Sequence, residues 1–314
     1  MNPVFIGGCG RSGTTLLGAM LGAHSDCLCV PESQFAIDVL RHFNFQSGEM
    51  ENVKGVVEFI RNHWRFRLWD VDIDNEKVPF NQINNSYACF LNWIVKIYGE
   101  SVNNPNPKIW VDHTPENIKN VGTLANLFPE SKFIHIVRDG RAVASSVMPL
   151  DWGPNTITKA ALWWVAWVGF GLGTESFLER NQIIRIKYED LVSEPEHTLK
   201  QICTYLRLDY QSQMINGNGF RVPGYSAMQH SLVGKKPDAK RVNSWEKKLS
   251  CREIEIFESL TGEFLNYLGY EPKFGLKARK MKSLENLVYK VYDYKRHHIN
   301  RRLKKRRIRN SYKG

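Results

Sequence analysis

The sequence predicts an α/β fold: a P-loop-like parallel sheet flanked by helices, with a helical insert and a basic C-terminal extension. Three observations point there. Short runs rich in β-branched and aromatic residues recur at 4–6, 27–30, 108–112, 132–137 and 183–187. Segments with apolar residues at helical spacing follow them, and alternation of strand with helix builds parallel sheets. The first strand and helix are joined by a glycine-rich turn, Gly7-Gly8-Cys9-Gly10-Arg11-Ser12-Gly13, which opens directly into Thr14-Thr15-Leu16-Leu17.

That turn aligns backbone N–H groups at the positive end of a helix dipole, so its natural ligand is a phosphate or a similarly shaped oxyanion. Gly8 and Gly13 occupy the two glycine positions of a P-loop, but Thr14 stands where the lysine belongs. A kinase or ATPase needs that lysine on the β- and γ-phosphates. Arg11 supplies a cation from within the loop instead, with a planar fork suited to two oxygens of one anion. A turn without a ligand is the plain alternative, and it leaves the coincidence of glycines, a cation and three hydroxyls at one helix start unexplained.

The next strand, 27–30, is broken by Pro31-Glu32-Ser33 before a helix carrying Phe35, Val39 and Leu40. Glu32 therefore sits beyond a strand end, where functional carboxylates collect in α/β folds; a glutamate merely complementing a helix dipole fits equally well. Residues 51–100 carry Val56, Val57, Phe59, Ile60, Trp64, Phe90, Leu91, Ile94, Val95 and Tyr98 at helix-like spacing around a polar stretch, 70–85. We read them as a helical insert, a possible acceptor region whose aromatics belong to the core. The strand at 108–112 ends at His113-Thr114-Pro115. The strand at 132–137 opens through Arg138-Asp139-Gly140-Arg141 into a helix, and Ser146 follows Arg138 by eight residues, or two turns. One guanidinium and one hydroxyl aimed at a common point grip a phosphate. Asp139 and Arg141 read as structural ion pairs. A tryptophan-rich helix over 157–180 covers the sheet, and the strand 183–187 leads into Tyr188-Glu189-Asp190-Leu191.

These motifs resemble the sulfotransferases that use 3′-phosphoadenosine 5′-phosphosulfate (PAPS), especially the branch containing tyrosylprotein and bacterial glycan sulfotransferases. The resemblance runs from about Pro3 to Pro272. It implies that Arg11, Ser12, Gly13, Thr14, Thr15 and Leu16 hold the 5′-phosphosulfate, and that Arg138 and Ser146 hold the 3′-phosphate. It implies that Glu32 is the catalytic base and that Tyr188 contacts adenine, for which ring stacking is the physical reason. Relatives carry lysine where His113 stands. His113 departs from that pattern, as either a protonated imidazole doing similar electrostatic work or a residue that caps the strand end. Residues 216–236 are glycine-rich and have the character of a lid over the nucleotide, and Lys235 or Lys236 corresponds to a cofactor-reaching lysine of relatives.

Bulk composition bounds the rest. The 314 residues, 42% hydrophobic and 12% aromatic, fit a globular chain with a sizeable core. The net charge of +11 is uneven: residues 273–314 hold sixteen Lys/Arg against two acids, a net +14 that leaves −3 for residues 1–272. We therefore divide the chain into a sulfotransferase domain, 1–272, and a basic, partly amphipathic tail, 273–314. The tail carries an apolar stripe at Leu284, Leu287, Val288 and Val291 before a run of cations from Arg301 to Arg307. It is either a peripheral membrane or polyanion contact, or a solvated extension. No charged leader precedes an apolar stretch, and the longest apolar run, 160–173, is shorter than the roughly 20 residues a bilayer needs. Six scattered cysteines and the absence of ligand spacing argue for reduced thiols, a cytoplasmic location and no metal.

The function these readings imply is transfer of a sulfuryl group from PAPS to a hydroxyl acceptor (glycan, peptide tyrosine or small molecule) by in-line displacement with a glutamate base. The rivals are a nucleoside kinase-like P-loop phosphotransferase and a non-catalytic anion-binding module docked through its tail.

Overall fold

The computed structural model describes residues 1–43, 48–74, 76, 78–224, 229–230 and 233–310. Five parallel strands, β1 (Asn2–Gly7), β2 (Cys27–Val30), β3 (Ile109–Asp112), β4 (Lys132–Val137) and β5 (Ile183–Lys187), form one sheet in the order β2-β3-β1-β4-β5. The first strand in sequence is the central one. Strand addition changes direction there, and at such a point an open α/β sheet leaves a crevice outside its carboxyl ends.

The helices are α1 (Thr14–Gly22), α2 (Gln34–Phe43), α3 (Val53–Asn62), α4 (Phe80–Ile83), α5 (Tyr87–Ser101), α6 (Val121–Leu127), α7 (Gly140–Val147), α8 (Ile157–Phe177), α9 (Tyr188–Ser193), α10 (Pro195–Leu206), α11 (Cys251–Tyr267) and α12 (Ser283–Asn310). They cover both faces of the sheet, which is why its strands read as continuous apolar runs rather than alternating ones. Alternate residues still divide between the faces. Val4, Ile6, Cys29, Ile134 and Ile136 pack with α1, α9 and α10. Phe5, Val30, Trp110, Phe133 and Val137 pack with α2, α3, α5, α7, α8 and α11. Phe5 anchors that second layer, edge-on to Trp110 and stacked on Phe133, each with centroids 5.5 Å away.

The predicted insert resolves into α3, α4 and α5, with a 3-10 turn at Phe66–Trp69 between them; residues 75 and 77 of its polar stretch lie outside the described residues. Among its aromatics Phe66, Trp69, Tyr87 and Phe90 are core, while Phe80 is exposed and Trp64 lines a cavity. Phe35 of α2 meets Phe66 and Trp69 edge-on at 5.2 and 5.4 Å. Aromatic packing thus ties the insert to the helix that begins just after Glu32.

The tail is a 28-residue helix that lies back along the body. Apart from Tyr289, which packs against the core, its inward contacts are polar. Asp293 pairs with Lys159 at 3.1 Å and accepts from Thr156 Oγ1 at 3.2 Å. The buried Asn300 donates to Asn155 Oδ1 at 2.6 Å, and Arg307 donates to Asp151 at 2.9 Å. Of the expected lid over 216–236, residues 225–228 and 231–232 lie outside the described residues. Among the described residues no helix is long and apolar enough to cross a membrane.

Candidate functional site

Every strand delivers a candidate residue at its carboxyl end: β1 the glycine-rich loop, β2 Glu32, β3 His113, β4 Arg138 and β5 Tyr188. The loop is built for close approach. Gly13 takes φ 101°, and a Cβ there would stand 2.6 Å from the Tyr188 ring. Gly13 is also the N-cap of α1 and offers no capping side chain, so the first amides of the helix are left to a ligand. Arg11 holds a left-handed backbone at φ 71°, a conformation that persists in a non-glycine residue only when its surroundings impose it. They do: Arg11 Nη2 donates to the Gln229 carbonyl at 2.8 Å, and Nε to Ser146 Oγ at 3.1 Å.

The second grip meets the first directly. Arg138 Nη1 donates to the Arg11 carbonyl at 2.8 Å, and its guanidinium lies 4.1 Å above the Tyr188 ring. Arg11, Gly13, Thr14, Thr15, Leu16, Arg138, Ser146 and Tyr188 line a single cavity of about 970 Å³. Ser12 is buried in the loop beneath it. Burial and the neighbouring Arg138 push the Arg11 guanidinium down to about 10, so it stays charged at neutral pH. Among the described residues neither arginine pairs with a carboxylate, and Ser12 Oγ and Arg138 Nε are buried without a hydrogen-bond partner. Two adjacent half-buried cations, one with an orphaned donor, favour an anion. Tyr188 is only 3% exposed, with one face under Arg138 and an edge against Gly13, so its visible work is to seat those two groups.

Glu32 lines the same cavity and is paired, Arg65 Nη2 to Oε2, at 2.8 Å. Arg65 is itself held by Gln34 Oε1 at 2.7 Å and lies 4.1 Å over the Trp64 ring. Behind Glu32 the fully buried Asp112 joins the β2 and β3 loops. It accepts from the Thr114 amide at 2.8 Å, from Thr114 Oγ1 at 2.6 Å and from the Ser33 hydroxyl, while the Ser33 amide donates to Thr114 Oγ1 at 2.9 Å. His113 is buried at a narrow crevice shared with Glu32, Thr15 and Arg65, edge-on to Phe220 at 4.8 Å. Burial pushes its imidazole down to about 4, against the opposing pull of Asp112. That shift favours a neutral ring near neutral pH, and with it the strand-capping reading over the imidazolium. Both ring nitrogens lack a partner among the described residues.

Lys235 and Lys236 are exposed and outside the cavity wall. From this part of the chain Arg241 and Lys248 reach it instead. Sequence reasoning also passed over Arg65 and Asp112, although Asp112 ends a strand just as Glu32 follows one. The tail contributes Lys304 and Arg307 to the cavity rim. No cluster of metal-ligating side chains occurs among the described residues.

A family model described as the sulfotransferase family matches residues 3–212. Protein-tyrosine sulfotransferase A of Caenorhabditis elegans is 27% identical over 68% of this chain and 52% of its own length, so the chain spans about half of that relative. Protein-tyrosine sulfotransferase 1 of Danio rerio is 24% identical, over 86% of this chain and 72% of that one. The sulfotransferase domain of the Synechococcus PCC 7002 olefin synthase has the same fold, with TM-score 0.60 and 21% identity over 86% of this chain and 95% of that domain.

Proposed function

The chain belongs to the sulfotransferase family, and from that premise we propose that it transfers a sulfuryl group from PAPS to a hydroxyl acceptor with Glu32 as general base. One observation carries this reading: two anion grips, on different strands, face one cavity with two unpaired guanidiniums between them. A nucleotide phosphorylated at both ends supplies the charge that this pair lacks. The orphaned Ser12 hydroxyl and Arg138 Nε, together with the uncapped start of α1, fit such a ligand.

When bound, the donor supplies a sulfuryl group whose bond to the 5′-phosphate oxygen breaks as the acceptor oxygen attacks. Loop amides at the start of α1, Thr14, Thr15 and Arg11 offset the charge that grows on the departing oxygen. Arg138 and Ser146 hold the 3′-phosphate and thereby set the distance between nucleotide and base. Glu32 takes the acceptor proton. Arg65 keeps its carboxylate in one rotamer, and Asp112 fixes the turn that carries it. His113, neutral, offers a hydrogen bond rather than a charge.

Protein tyrosine is the acceptor we favour, with a glycan second. The relatives' names support it, as do Trp64 and Ile37, which give the cavity an apolar wall beside Glu32 and Arg65. The six cysteines are unpaired, which supports, within the same proposal, a reducing cytoplasmic compartment. The test has two parts. Calorimetry should show adenosine 3′,5′-bisphosphate binding well ahead of ATP. Labelled-sulfate transfer to tyrosine peptides should fall by about 10²- to 10⁴-fold in Glu32→Gln while bisphosphate affinity stays within a few-fold. Tighter binding of ATP, or undiminished turnover in Glu32→Gln, removes the assignment.

A further inference from the structure

The outward face of α12 is apolar for its first half and cationic for its second. The helix is seated by Glu285, Tyr289, Asp293, Asn300 and Arg307, which recur every four or seven residues and so share one side. That side is mostly polar, the reverse of an ordinary surface helix. Opposite it, Leu284, Leu287, Val288, Val291 and Tyr294 are 49–73% exposed. The same face continues into exposed Lys295, Arg302, Lys305, Arg306 and Arg309.

We propose that α12 is an interfacial helix that binds the protein to an anionic lipid surface. The occupant follows from the two halves together. A nucleic acid or other polyanion would satisfy the cations and leave five large apolar side chains in water. A second copy of the chain would cover the apolar half but set like charges against each other in the basic half. A bilayer with acidic headgroups meets both, taking the aliphatics into the headgroup boundary and the cations against lipid phosphates. The inner side of the same helix supplies Lys304 and Arg307 to the cavity rim. Lipid on the outer side therefore sits about one helix diameter, roughly 10 Å, from the mouth of the site.

The test is co-sedimentation of the full chain with phosphatidylcholine vesicles with and without phosphatidylglycerol. Wild type should bind only the anionic vesicles, less tightly as salt rises. Two double variants at exposed positions, Leu287→Glu/Val291→Glu and Arg302→Glu/Arg306→Glu, should each lose tenfold or more of that partition. Both should keep the wild-type thermal midpoint and affinity for adenosine 3′,5′-bisphosphate. Three outcomes overturn the proposal: no preference for anionic vesicles; full vesicle binding by the Leu287→Glu/Val291→Glu variant, which reduces the helix to a polyanion contact; or loss of a wild-type dimer in that variant with no vesicle binding by the parent. None of them bears on the sulfuryl-transfer reading, which uses the opposite side of the helix and other residues.

Discussion

Replacing Arg138 with alanine separates the two ends of the proposed nucleotide. The side chain makes one hydrogen bond inside the protein, Nη1 to the Arg11 carbonyl, and stacks over Tyr188, while its Nε has no partner. A charge-assisted hydrogen bond to a phosphate contributes about 1.5–3 kcal/mol, or roughly 10- to 150-fold in affinity. Freeing the Arg11 carbonyl loosens the loop by about 1 kcal/mol, a roughly fivefold loss common to any ligand of the 5′ cradle. Adenosine 3′,5′-bisphosphate should therefore lose both contributions and adenosine 5′-monophosphate only the smaller one. Titration calorimetry of both nucleotides against wild type and Arg138→Ala measures the difference. Equal losses for the two would mean that Arg138 props the loop and reads no 3′-phosphate.

Other expectations are as direct. Gly13→Ala should abolish nucleotide binding in a folded protein, because the new Cβ strains a φ of 101° and meets the Tyr188 ring; retained affinity would show that the loop is not the cradle. Arg65→Met should leave bisphosphate affinity within about twofold and lower kcat by on the order of tenfold, and an unchanged kcat would show that Glu32 needs no partner. Asp112→Ala removes a buried acceptor of three hydrogen bonds and should cost about 3–5 kcal/mol in chemical denaturation; a loss under 1 kcal/mol would contradict the mooring role. Below about pH 6.5 the unfolded chain protonates histidines that the fold keeps neutral down to about 4 at His113 and about 3 at His230. Stability should thus fall as pH drops from 6.5 toward 4, approaching about 1.4 kcal/mol per pH unit for each proton taken up. Asp112, whose carboxyl burial pushes up, offsets part of this at the acid end. His113→Gln should flatten the slope, and a parallel slope in that variant would assign it elsewhere.

What was legible in the sequence is what depends on local periodicity. Strand ends followed by helix starts placed Glu32, Arg138 and Tyr188 around one cavity and His113 in the crevice beside it, because a parallel sheet presents all its carboxyl ends on one side. The eight-residue step from Arg138 to Ser146 placed both on one helical approach for the same reason. Contacts between distant segments were not legible. Arg65 lies 33 positions from Glu32 and reaches it only because Phe66 and Trp69 bury themselves on Phe35. Lys235 and Lys236 stood out for their charge in a stretch without periodicity, where nothing in the pattern says which cation lines the cavity; Arg241 and Lys248, both exposed, do. The return of the tail rests on single polar contacts such as Asn300 with Asn155, which no hydrophobic pattern announces.

The mooring of the β2 and β3 loops to Asp112 has a bearing on how acceptor preference changes. Val30 and Asp112 are in register on neighbouring strands, so the sheet itself, rather than an adjustable loop, sets where Glu32, the base we propose, stands. A bulkier or smaller acceptor cannot be met by shifting Glu32. Room has to be made in the wall beside it, in the segment around Trp64 that joins α3 to α4. Under the proposed mechanism, substitutions confined to that segment should retune the acceptor while Glu32 keeps its place.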